Sequence, residues 1–193
     1  MRSVTAQAGD ASTDAESFKD LMCAFPSGVS VVTARDEDET PRGLTCSSLC
    51  SVSVDPPTLL VCIANYSGTL AAMLSQGVFA INFLHGSGRD AARLFSTAGP
   101  DRFSRIAWRP SRTWSLPHLH EDAHALAECR VGRTFVTGDH TVVLGHVVAI
   151  DRRPAPPLLY GLRGYARWPL GEGRRTGREN AADPPAVQEA DHG

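Results

Sequence analysis

The 193-residue chain lacks several features that would each announce a function. No Gly-x-Gly-x-x-Gly follows a strand and no P-loop is present, so a Rossmann or triphosphatase reading has no support. No Gly-x-Ser-x-Gly elbow occurs, which removes the α/β-hydrolase nucleophile. No apolar run nears the roughly 18 residues of a membrane-spanning helix. Charge of neither sign dominates: 19 basic against 21 acidic residues leave −2, too little for a broad pull on nucleic acid or membrane. Cysteine is sparse and odd in number. Cys23, Cys46, Cys50, Cys62 and Cys129 include no Cys-x-x-Cys pair, so they read as small buried hydrophobes rather than a disulfide or zinc framework. The N-terminus has an early Arg but no apolar stretch behind it, so no signal peptide is expected and a cytoplasmic location is inferred.

What remains is an ordinary globular composition with strong strand and turn signals. Residues 1–12 are small and polar and read as a disordered arm. Thr13-Asp14-Ala15-Glu16 has the form of a capping box, and Phe18, Leu21, Met22 and Phe25 follow at helical spacing, predicting an amphipathic helix that Pro26 stops. Gly28 to Ala34 is β-branched and predicts a strand. Gly43 to Val54 is expected to be one long or bent strand, small and hydroxylated, suited to close approach by a ligand. Asp55-Pro56-Pro57 makes a corner. Leu59 to Ile63 reads as a central strand, Leu70 to Ser75 as a short helix ended by Gly77, Val78 to Leu84 as a strand and Gly88 to Phe95 as a helix. Trp108 to Pro117 reads as irregular. Ala123 to Val136 and Thr141 to Ile150 form a hairpin across Gly138-Asp139. Two short strands, Leu158 to Tyr160 and Gly164 to Trp168, close the folded part. Residues 171–193 are polar and read as a disordered tail. A single domain over 13–170 is expected, mainly β, as a closed or nearly closed antiparallel barrel with short peripheral helices.

Three constellations could carry chemistry. Ser67-Gly68-Thr69 opens a helix, where free amides and the dipole favour an anion. Gly138-Asp139-His140 puts an imidazole at a hairpin end; such a residue is ordinarily a surface one, but it could also donate to a ligand at the barrel mouth. His118-x-His120-x-Asp122-Ala123-His124 superficially resembles the metal signature of metallo-β-lactamase-like hydrolases. Its last histidine is one position late, so no functional metal is expected.

Six segments in this order resemble the flavin reductase family with the FMN-binding split-barrel fold: Gly28–Ala34, Gly43–Ser48, Ser51–Pro57, Ser67-Gly68-Thr69, Phe79–Asn82 and Gly138-Asp139-His140. The resemblance runs from about Phe18 to Trp168. It implies a six-stranded antiparallel Greek-key split β-barrel and a homodimer with flavin near the subunit interface. It implies hydride transfer from NADH or NADPH to FMN or FAD, and delivery of reduced flavin to a partner monooxygenase. By position, Thr45, Cys46, Ser47 and Ser48 line the isoalloxazine edge, and Cys62, Ile63 and Ala64 run beside the ring and ribityl chain. Ser67 and Thr69 hold the phosphate, Arg102 and Phe103 form a basic-aromatic pair near the flavin, His140 is the catalytic residue on the nicotinamide side, and Tyr165 borders the same pocket. His85-Gly86-Ser87-Gly88-Arg89 departs from the family's usual polar, Gln-containing segment. Two rival readings stand beside this one: a flavoenzyme acting on its own organic substrate, and a flavin-binding protein without turnover.

Overall fold

In the computed structural model the Asp14 carboxylate accepts from the amides of Glu16 and Ser17 at 2.9 and 2.8 Å and caps helix α1, Ala15–Cys23. The cap is therefore Asp14 itself, one residue later than the Thr13 capping box; an aspartate at this position satisfies two orphan amides alone. The structure describes residues 13–97, 99 and 101–169, so the expectations for 1–12 and 170–193 lie outside it.

The strands are β1 Ser27–Gly28, β2 Ser30–Arg35, β3 Pro41–Cys46, β4 Leu49–Ser53, β5 Thr58–Ala64, β6 Val78–Leu84, β7 Arg109–Pro110, β8 Pro117–His118, β9 Ala123–Thr137, β10 His140–Arg152, β11 Leu158–Gly161 and β12 Gly164–Arg167. Helix α2 spans Gly68–Gln76 and α3 Arg89–Ser96, and a 3-10 turn covers Arg102–Arg105. Seven strands form one antiparallel sheet in the order β3-β2-β6-β9-β10-β5-β4, with a small β1-β11-β12 sheet and a β7-β8 ribbon beside it. The fold is thus mainly β with short helices, as expected. Two details differ. The main sheet has seven strands, not six, and its end strands β3 and β4 do not pair with each other. The cause is local: the long strand expected over Gly43 to Val54 breaks at Ser47-Ser48. Its first half pairs with β2 and its second with β5, so one predicted strand becomes the two opposite edges of the sheet.

Both faces of the sheet are covered. On β2, Val32 and Ala34 join a core with Val61, Ile63, Met73, Phe79 and Ile81, while Val31 points the other way into a core with Leu84, Ala92, Phe95, Leu119 and Leu158. Alternate residues of a strand face opposite sides, so β2 is buried along nearly its whole length. Helix α2 closes the first core with Leu70 and Met73 and ends at Gly77, whose φ of 69° is left-handed; glycine enters that region without a Cβ penalty. Helix α3 closes the second core with Ala91, Ala92 and Phe95. The β9-β10 hairpin carries two register shifts, at Val143/Gly145 and Val147/Ala149, which bend it around the first core.

The segment expected to be irregular is held by a buried polar set. Glu128 of β9 accepts from Ser111 Oγ at 2.5 Å, Trp114 N at 3.0 Å and Thr113 N at 3.2 Å. Asn82 of β6 donates to Pro117 O at 3.2 Å and accepts from Leu119 N at 2.8 Å. By contrast, the apolar face of α1 finds no core: none of its residues is buried, and Phe18, Leu21, Met22 and Phe25 are exposed.

Candidate functional site

The Ser47-Ser48 crossing between the two sheet edges opens onto a cavity of about 690 Å³. That volume is in the range of small-molecule and cofactor sites. Thr45, Cys46, Ser47 and Ser48 form its wall along the crossing, and Cys62, Ile63 and Ala64 of β5 face them. Ser67, Gly68 and Thr69 stand at one end, at the start of α2; Arg102, His140 and Tyr165 also line the cavity. Eleven of the twelve residues expected to bind flavin, together with His140, therefore meet at one place. Phe103 does not reach the lining. It packs behind it, edge-on to Phe95 at 5.0 Å and to Trp108 at 5.8 Å, against Gly43.

The crossing is tied down by its own hydroxyls. Thr45 Oγ1 donates to Ala92 O at 2.6 Å, fixing β3 to α3, and Ser48 Oγ donates to Cys62 O at 2.9 Å, fixing the crossing to β5. Those two protons are committed to the protein, which leaves Ser47 as the hydroxyl there without a hydrogen bond among the described residues. Cys46 lies 3.5 Å from Ser48 Oγ, and burial pushes its thiol up. Burial does the same to Cys62, so both thiols remain protonated spacers; all five cysteines are free.

At the α2 end, Ser67 Oγ accepts from Thr69 N at 3.2 Å. Its own proton stays available, and the space over Gly68 is open. Free amides and a hydroxyl at a helix start are suited to an anion. Arg102 adds positive charge: its guanidinium lies over the Phe95 ring at 5.5 Å, donates to Thr97 O at 3.2 Å and pairs with no carboxylate among the described residues. Burial, and then the nearby Arg42 guanidinium, lowers its pKa.

His140 starts β10 directly opposite Ala64. Its Nδ1 lies 2.7 Å from Asp139 Oδ1, a hydrogen bond that holds the Asp139 carboxyl below its usual range. A carboxylate only accepts, so Nδ1 carries the proton and Nε2 is left for a ligand. Asn65 positions this corner. Its amide nitrogen donates to Gly138 O at 3.2 Å, its backbone donates to Asp139 O at 2.9 Å, and its Oδ1 accepts from Thr141 at 2.7 Å. Sequence reasoning missed Asn65, and it missed Arg42, Tyr66 and Tyr160, which also line the cavity. Tyr160 was accessible to inference, since β11 and β12 pair it with Tyr165.

The model of the family described as flavin reductase like domain matches residues 22–169. The chain belongs to that family. Among its relatives, a flavin reductase (NADPH) of Lentzea aerocolonigenes is 53% identical over 148 residues, covering 77% of this chain and 86% of the relative. A flavin reductase (NADH) of Kitasatospora aureofaciens is 46% identical over 165 residues, covering 84% and 86%. An NADH:FAD oxidoreductase of Streptomyces globisporus C-1027, solved with NAD and FAD fragments, superposes with a TM-score of 0.77 at 29% identity, covering 82% of this chain and 95% of that one.

Proposed function

We infer that this family member is an NAD(P)H:flavin oxidoreductase that reduces FMN or FAD and passes the reduced flavin to a separate oxygenase component. The observation that carries the reading is the meeting, in one cavity, of an anion-binding helix start, a hydroxylated strand crossing and an imidazole with a free Nε2. The residues fit a flavin: the cavity of about 690 Å³ is large enough, and the α2 amides, the hydroxyls of Ser47 and Ser67 and the Arg102 guanidinium supply donors to it. When bound, the flavin supplies the hydride-accepting ring, and NAD(P)H supplies the hydride.

The protein's part is alignment. Ser67, Thr69 and the α2 amides hold the phosphate, with Arg102 as a further cation. The backbone of Thr45 to Ser48, with the Ser47 hydroxyl, lines the ring edge, and Cys62 to Ala64 flank the ring and ribityl chain. Phe103 acts from behind, holding Gly43 and Phe95. His140 presents Nε2 toward the nicotinamide side, oriented by Asp139 and Asn65, and Tyr165 borders that side. The oxygenase partner is supported by relatives such as the reductase subunit of a flavin-dependent monooxygenase of Mycobacterium tuberculosis, 33% identical over 153 residues. The chain acts as a homodimer: the outward apolar face of α1 is joined to the β11-β12 hairpin by Leu162 N to Cys23 O and by Arg163 to Asp20, both at 2.6 Å. That hairpin carries the cavity residues Tyr160 and Tyr165, so a second copy over α1 abuts the flavin site.

Steady-state oxidation of NADH and NADPH with added FMN, FAD or riboflavin tests the activity. The rate rises with free flavin and saturates. A rate indifferent to free flavin, in protein that binds flavin, would assign the chain to a self-contained flavoenzyme or a flavin carrier instead.

A further inference from the structure

The second site lies at the other end of the long hairpin. His140 and Asp151 are eleven residues apart on β10, roughly 35 Å at about 3.3 Å per residue. Around Asp151 a separate cavity of about 130 Å³ is lined by Arg109, His118, His120, His124, Asp151 and Arg153. At about 30 Å³ per water, that is room for roughly four waters; a second recess of about 260 Å³ adjoins it through Arg109, His118 and Asp151.

Its chemistry is unusual for a surface recess. His118 is 6% exposed and lines the cavity, yet its imidazole makes no hydrogen bond to any described residue. His120 Nδ1 is buried without a partner. An unpaired buried polar atom such as His120 Nδ1 is costly and calls for a partner. The charges around the two imidazoles are mixed: the Arg109 and Arg153 guanidinia line the recess together with the Asp151 carboxylate, and Glu121 Oε1 lies 3.9 Å from His120 Nε2. Arg109 pairs with Asp151 only at 3.6 Å. Arg153 is fixed by backbone carbonyls, Nε to Ala123 O and Nη2 to Glu121 O, both at 3.1 Å, and has no acid of its own among the described residues. Burial and then Arg109 push His118 below its usual value, with Asp151 opposing; burial and then Arg152 do the same to His124. No group of three or more His, Cys, Asp or Glu among the described residues is placed to hold a metal.

We propose that the recess between β7-β8 and the start of β9 is a binding site for a small oxyanion, a phosphate or carboxylate group, held by the Arg109 and Arg153 guanidinia with His118 and His120 as further donors. Two guanidinia facing one recess are the geometry that planar oxyanion recognition uses. His118, His120 and His124 come from a short stretch of sequence but not from one strand: β8 ends at His118 and β9 begins at Ala123. The turn between them brings their rings to one cavity.

The test is a titration of the FMN-saturated protein with inorganic phosphate, and separately with acetate, followed by imidazole ¹H–¹³C correlation spectra. Saturating FMN removes the helix α2 anion site from the measurement. The expected result is a concerted, saturable shift of the His118, His120 and His124 signals by at least one of the two anions. Arg109→Gln should weaken the apparent affinity about tenfold, the scale of one charge-assisted hydrogen bond, and leave flavin reduction unchanged. His118→Gln, which keeps a polar donor, should bind with intermediate affinity. No saturable shift with either anion would overturn the proposal, as would equal binding by Arg109→Gln. Tight zinc binding that ordered the three histidines in place of anion binding would also overturn it.

Discussion

Ser67 performs two tasks with one hydroxyl. It caps α2 by accepting from Thr69 N, and it lines the cavity with its proton uncommitted among the described residues. Substitution by alanine would confound binding with the roughly 1 kcal/mol lost at a cap, whereas glycine costs only a few tenths. Ser67→Gly is therefore expected to raise the dissociation constant of FMN about tenfold while that of riboflavin changes less than about twofold; calorimetric titration of both flavins measures the contrast. His140 is a different kind of residue, because its Nδ1 is committed to Asp139 at 2.7 Å. His140→Ala should raise the Michaelis constant for NAD(P)H several-fold more than that for flavin, and equal changes in both would remove its assigned side. Most of these residues were legible because they sit in short contiguous motifs. Asn65 was not: its three partners, Gly138, Asp139 and Thr141, lie more than seventy residues on, and nothing in its own neighbourhood announces them.

The elements were mostly legible where period and punctuation agree. Strand β6 matches its expected bounds, and Ser67 and Gly77 bracket α2. The break between β3 and β4 was hidden, because the small residues of Gly43 to Val54 pattern neither face and the division depends on pairing with β2 and β5. The same holds for the 109–118 segment, which owes its order to Glu128 and Asn82 rather than to local propensity. Glu128→Ala should destabilise the fold by about 3 kcal/mol, since it strands one hydroxyl and two amide donors; urea denaturation measures this. Gly43 is the other sensitive point. A Cβ there would meet Phe95 at 3.0 Å and Phe103 at 3.1 Å, so Gly43→Ala should cost about 1–3 kcal/mol by overpacking and weaken flavin binding by displacing Phe95 from the cavity wall.

At the scale of the molecule, the large cavity opens where one chain crossing joins two sheet edges. That arrangement was expected only in outline: a barrel was inferred, while the seventh strand and the open edges emerged from long-range pairing. The exposed face of α1 was legible as amphipathic but not as outward-facing, because periodicity locates a stripe and not what covers it. If a second copy covers it, the particle has twice the 20.7 kDa chain mass, and Leu21→Glu with Phe25→Glu shifts sedimentation to the single-chain mass. Stability also carries a pH signature. Burial pushes the Cys129 thiol from 9.0 up to about 12, so the unfolded chain releases a proton that the folded chain keeps. Stability is fully present below about pH 9 and falls between about pH 9 and 12 at up to about 1.4 kcal/mol per pH unit; Cys129→Ala should decline less steeply in that range. Turnover of free flavin is what separates a reductase from a flavin carrier. Under anaerobic conditions, a trace of protein mixed with NAD(P)H and a large excess of FMN or FAD should bleach the visible absorbance of many flavin equivalents per chain. Bleaching that stops at one equivalent, or none while flavin is bound, would contradict it.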